Sequence, residues 1–67
     1  MIKWVRLKER RPFLSKGREV WFCENEEFEV IDTKELPMMG KGYKLFSDKY
    51  KMEIDGWNTV KDFEDIK

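Results

Sequence analysis

Two runs of β-branched and aromatic residues, Val20-Trp21-Phe22-Cys23 and Phe28-Glu29-Val30-Ile31, flank the polar tetrapeptide Glu24-Asn25-Glu26-Glu27, which is the spacing of a β-hairpin. With Asn25 and Glu26 at the turn, Cys23 falls opposite Phe28 and Trp21 opposite Val30, so these four side chains share one face. Val20, Phe22, Glu29 and Ile31 share the other. Both faces are largely apolar, and a hairpin over residues 18–32 is therefore expected at the centre of the fold, covered on both sides. Cys23, inside its first strand, is expected to be a buried, inert thiol.

The flanking segments read as covers for that hairpin. Ile2, Trp4 and Leu7 alternate with Lys3, Arg6 and Lys8, which fits a short first strand. Pro12 forbids a helix through residues 9–12, and Ser15-Lys16-Gly17 is a turn signal. Residues 33–42, with one proline, two glycines and no period, read as a mobile loop. Residues 43–46 and 50–54 form a second, half-exposed hairpin around Ser47-Asp48-Lys49, in which Tyr50, Met52 and Ile54 alternate with Lys51 and Glu53. Residues 59–66 fit either a last short strand or one to two helical turns. Val60, Phe63 and Ile66 are three apart and Thr59 with Asp62 approximates a capping box, which favours the helix.

The whole is expected to be one domain, residues 1–67, mainly β and at the margin of α+β. A small single antiparallel sheet or open barrel of about four to five strands, with a short C-terminal helix, is the expected architecture. At 67 residues one core holds the chain with a net stability of only about 3 to 5 kcal/mol. Although 42% of residues are charged, three Trp, two Tyr and five Phe are too many for a disordered chain. Trp4 and Trp57, at opposite ends of the chain, are placed to close the core by packing together.

The zero net charge conceals an asymmetry. Lys3, Arg6, Lys8, Arg10, Arg11, Lys16 and Arg18 precede the first hairpin strand with only Glu9 against them. The acids gather at Glu24, Glu26, Glu27, Glu29, Asp32 and Glu35, and again at Asp62, Glu64 and Asp65. Such a split supports either a polarised binding surface or neutralisation between neighbouring elements.

The opening residues Trp4-Val5-Arg6-Leu7-Lys8-Glu9-Arg10-Arg11-Pro12 resemble the start of a family of short phage and prophage proteins of unknown function. That family's pattern is Trp, hydrophobic, any, hydrophobic, any, acid, Arg, any, Pro. A turn and a β-rich strand follow in the family, matched here by Lys16-Gly17 and Val20-Trp21-Phe22. It closes on a strand with a Trp motif, matched by Trp57 without the usual proline. The resemblance implies a phage or prophage origin, action in the cytoplasm of a bacterial host cell, and a host protein as partner. It implies no particular activity, because none is established for that family.

The residues themselves speak against an enzyme. There is no His for acid/base work, no recognisable nucleophile motif, and no strand-to-helix context that would make Gly40-Lys41-Gly42 a phosphate loop. With no His and one Cys, no structural zinc site can be assembled within the chain, and no cofactor is expected. No apolar run is long enough to span a membrane. Protein binding is the first expectation, through an adaptable apolar loop at Leu36, Met38 and Met39 with Tyr43 beside it, or through the exposed edge of the second hairpin. Nucleic-acid binding is the alternative, with Arg6, Lys8, Arg10, Arg11, Lys16 and Arg18 on phosphates and Trp4 or Phe13 as a stacking platform. A free sheet edge and zero net charge would also suit a homodimer.

Overall fold

A computed structural model of the protein describes residues 2–66. The chain is mainly β, in open antiparallel sheets that do not close into a barrel. Its strands are β1 (Lys3–Leu7), β2 (Arg11–Ser15), β3 (Arg18–Phe22), β4 (Glu27–Leu36), β5 (Gly40–Ser47), β6 (Met52–Glu53), β7 (Asn58–Thr59) and β8 (Phe63–Ile66). The main sheet runs β6-β5-β4-β1-β8, with β7 also on β5, while β2 and β3 form a separate two-stranded ribbon. Among the described residues no helix is long and apolar enough to cross a membrane.

The hairpin expected over residues 18–32 does not form. β3 pairs backwards with β2, in the register Ser15↔Arg18, Phe13↔Val20 and Arg11↔Phe22, and β4 pairs with β1 and β5 instead. Turn geometry decides this. Lys16 and Gly17 have φ of 51° and 77°, the two left-handed residues of a type I′ turn, whose twist matches that of the strands it joins. The Asp55 carboxylate then accepts the N–H groups of both turn residues, at 2.9 and 2.8 Å. The 24–27 segment is bound elsewhere: the Asn25 N–H donates to the Leu7 carbonyl at 2.8 Å and the Leu7 N–H to the Glu26 carbonyl at 2.9 Å. These bonds seat the start of β4 on β1 rather than on β3.

The change of partner changes which face is inside. Phe22 and Phe28, which the hairpin register puts on opposite faces, meet in the core with ring centroids 4.9 Å apart. Trp21 is 49% exposed. Cys23 lies just past the end of β3 and is an exposed thiol, not a buried one. The core joins ribbon to sheet: Phe13 and Phe22 from the ribbon pack with Phe28 and Phe63, over Val5, Leu7, Leu45 and Ile54, all of which are fully buried. Trp4 and Trp57 do not pack on one another in this core. Trp57 instead lies under the Lys34 and Lys44 ammonium groups, 5.1 and 5.8 Å from its ring.

Two further expectations change. Residues 33–42 are not a loop: β4 continues to Leu36 and β5 begins at Gly40, because the pairs Thr33↔Tyr43, Lys34↔Gly42 and Leu36↔Gly40 extend the ladder. A register shift between Val30 and Asp32 leaves Ile31 as a bulge, 44% exposed. The second hairpin forms between β5 and β6, but its edge is covered by the ribbon. The Ser15 hydroxyl donates to the Glu53 carbonyl at 2.8 Å, and the Asp55 N–H donates to the Leu14 carbonyl at 2.8 Å. At the end of the chain the helix reduces to a single 3₁₀ turn, Val60–Asp62, capped by the Thr59 hydroxyl, before β8. β8 then pairs with β1, which satisfies the backbone groups on the side that faces it.

Candidate functional site

The turn joining β4 to β5 carries three of the residues expected to form an apolar contact. Leu36 and Pro37 lead into it, the Met39 N–H donates back to the Leu36 carbonyl at 3.3 Å, and Met38 has φ of 62°. Proline followed by a left-handed residue is the pattern of a type II turn, whose third position ordinarily holds glycine or asparagine. Methionine there costs about 1 to 2 kcal/mol of backbone strain. The closing bond and the β4–β5 ladder hold the turn, but the side chains add no packing to it: Met38 is fully exposed, at 106% of its reference area, and Met39 is 57% exposed. Leu36 is half-buried and lies across Gly42: a Cβ at Gly42 would come within 2.6 Å of Leu36 Cδ1.

Tyr43, expected beside them, does not belong to this patch. It is 4% exposed, facing inward from β5 with the Lys3 ammonium 5.0 Å from its ring. The hydrogen bond to Tyr43 is the largest of the effects that hold the Lys3 ammonium above its ordinary pKa; the nearby Asp65 carboxylate adds to it. The apolar surface is thus Leu36, Met38 and Met39 at the tip of a hairpin standing off the body.

The six cations of the nucleic-acid expectation do not form one surface. Arg6 sits within a ladder of paired strands, opposite Glu64 on β8 and Glu27 on β4, and bonds Glu64 at 3.3 Å. Arg11 pairs with Asp62 and lies 5.0 Å from the Phe13 ring. Arg10 stacks on Trp21 at 4.5 Å. Lys8, Arg10 and Arg11 border, with Lys61, Glu9 and Asp62, a polar hollow at the β1–β2 corner, while Lys16 and Arg18 stand at the far end of the ribbon. The acids that neutralise the N-terminal segment come from the chain end, since Lys3 also meets Asp65 at 3.4 Å. Among the described residues no ion pair joins that segment to residues 24–29, although Glu27 lies across from Arg6 on β4.

Two carboxylates tie the ribbon to the sheet. Glu26, only 12% exposed, is pushed up by burial, but the Cys23 N–H at 2.7 Å, Lys49 at 3.3 Å and the Tyr50 hydroxyl outweigh this and hold its pKa below the ordinary range. Asp55 is lowered by the Gly17 and Lys16 N–H groups it accepts. Among the described residues no group of three or more His, Cys, Asp or Glu is placed to hold a metal ion.

The ribbon contributes surface that sequence reasoning missed. Its outward face carries Leu14 and Trp21, 53% and 49% exposed, with Pro12 opposite Trp21. The signal was the two-residue Lys16-Gly17 loop with Phe13 and Val20 at equal distances either side. Comparison with known protein families, with curated proteins and with solved structures finds no match to this chain.

Proposed function

We propose that the chain is a non-enzymatic, phage-type protein that acts in the bacterial cytoplasm by docking on a host protein, which it inhibits or redirects, through the β4–β5 turn. The observation that carries the reading is Met38. It holds a left-handed backbone that methionine resists, as Lys16, Asn25 and Lys51 do in their turns, and its side chain is fully exposed, so the turn and ladder carry the cost with no help from side-chain packing. Strain of this kind is characteristic of residues that serve an external contact, and neighbouring methionines adapt to varied apolar surfaces. The N-terminal resemblance to phage proteins is what points to a bacterial host protein. Capture from bacterial lysate by the wild-type chain, compared with a Met38→Ser/Met39→Ser variant, tests this. Loss of specific partners from the variant supports the reading, and unchanged recovery of every partner sinks it.

Nucleic-acid binding has one observation in its favour, the Arg10 guanidinium stacked on the half-exposed Trp21. Against it, Arg6 and Arg11 are engaged by Glu64 and Asp62, and the remaining cations are split between two ends of the ribbon. Affinity for a DNA or RNA oligonucleotide that falls steeply with salt would revive it.

A further inference from the structure

An open groove of about 820 Å³ lies between the ribbon and the β5–β6 hairpin. Val20, Met52 and Tyr50 make its apolar surface, and Lys16, Arg18 and Lys51 stand around it. It is bordered by a free strand edge. A two-residue loop closes on a hydrogen-bonded pair and such pairs alternate along the ladder, so Ser15↔Arg18, Phe13↔Val20 and Arg11↔Phe22 are bonded within the ribbon. Glu19 and Trp21 therefore turn their N–H and C=O groups away from β2. The same alternation points Leu14 outward on β2, where its carbonyl is taken by Asp55. It also puts Pro12, which has no N–H, where none is required. On the β3 side nothing among the described residues takes up the four outward groups.

We infer that β3 accepts an extended, acidic segment of a partner protein as an added strand, paired to Glu19 and Trp21, with an aliphatic side chain on Val20 and Met52 and carboxylates on Lys16 and Arg18. The edge is already set for this. Ser15 to Glu53, the Asp55 carboxylate on the turn and the Phe22–Tyr50 contact at 5.6 Å hold both walls, so little ordering is required on binding. Backbone pairing gives affinity and the alternate side chains give selectivity. Charge chooses the occupant. Lys16 and Arg18 have no ion-pair partner among the described residues; Lys51 meets the exposed Asp48 at 2.9 Å, and the one acid lining the groove, Glu53, faces Lys44 at 3.7 Å. A second copy of this chain would bring three like cations against these three, whereas an acidic strand neutralises them. This surface is separate from the β4–β5 turn.

The test uses an acetylated, amidated and fluorescently labelled peptide in which valine alternates with threonine and gives way to two alternate glutamates towards its C-terminal end. Binding to the full chain is followed by anisotropy and by amide NMR. The expected result is salt-sensitive binding, with the Glu19 and Trp21 amides shifted and protected from exchange. Affinity should fall tenfold or more when the glutamates become lysines, when alternate peptide amides are N-methylated, or in Arg18→Glu, and should be unchanged in Met38→Ser/Met39→Ser. Glu19→Pro, which removes an edge N–H but no bond within the ribbon, should also weaken binding; if it fails to fold, the N-methylated peptide decides the point on the intact protein. Equal binding of the N-methylated peptide, shifts confined to other strands, or no binding up to about 1 mM would overturn the inference. Protection of Glu19 and Trp21 in a peptide-free dimer would overturn it as well, in favour of a second copy.

Discussion

Phe22 and Trp21 are adjacent on β3, and the fold assigns them opposite fates. Phe22 has no exposed surface and lies edge-on to Phe13, Phe28 and Tyr50, with centroids 5.8, 4.9 and 5.6 Å away. Replacing it by alanine would cost about 3 to 5 kcal/mol, the whole of the roughly 3 to 5 kcal/mol that a chain of this size commands, and would leave no folded protein to measure. Phe22→Leu keeps most of the volume and removes three aromatic contacts worth about 0.5 to 1.5 kcal/mol each; towards the lower end of that range the loss is about 2 kcal/mol. Unfolding entropy of about 2.1 cal/mol/K per residue gives a 67-residue chain about 0.14 kcal/mol/K, so the melting temperature should fall by about 14 °C. Trp21→Leu gives up a solvent-exposed stack with Arg10 and a bond to Glu19 at 3.1 Å, worth together about 1 kcal/mol, and should lower it by no more than about 7 °C. Far-UV circular dichroism melts read both variants without relying on tryptophan emission. If Trp21→Leu is the more damaging, β3 has the opposite face inward, and the ribbon register is wrong.

Relief of turn strain should show in Met38→Gly, which is expected to raise stability by about 1 kcal/mol, measured by urea denaturation, while weakening capture of a partner. Gly42→Ala drives a methyl into Leu36 Cδ1 and should cost about 1 kcal/mol in the same assay, since the half-buried Leu36 can yield outward. Glu26 and Asp55 both have pKa values lowered by folding. Their contribution is complete above the unfolded carboxylate range and is lost as pH falls through the folded values, so stability should decline below about pH 4. Glu26→Gln should flatten that decline, and an unaltered acid profile would remove Glu26 as a tie. Arg6→Ala breaks an exposed pair with Glu64 and should change stability by less than about 1 kcal/mol, the difference shrinking in high salt.

Strand character was legible in residue types and period. The apolar runs at Val20-Trp21-Phe22 and Phe28-Glu29-Val30-Ile31 are strands, Lys16-Gly17 is a turn, and the mainly β class follows from the density of β-branched and aromatic residues, although the expected C-terminal helix shrinks to one 3₁₀ turn. The Met38-Met39 patch was legible too, as apolar side chains with no periodic reason to be buried, although Tyr43 was wrongly grouped with them. What could not be read was partnership. A strand with apolar residues on both faces fits several neighbours equally well, because period two says which side chains share a face and nothing about which strand lies alongside.

That choice was made by bonds between residues far apart in the chain. Asp55 holds the Lys16-Gly17 turn, Leu7 holds Asn25 and Glu26, and β8 returns to pair with β1. Each is a backbone or carboxylate contact, blind to hydrophobic pattern, and together they exchange the expected central hairpin for a ribbon laid over a sheet. The sequence by itself determined that residues 18–32 contain two strands and a sharp change of direction. Only the tertiary structure decided that those strands part company, burying Phe22, exposing Trp21, and leaving the edge of β3 open above a basic groove.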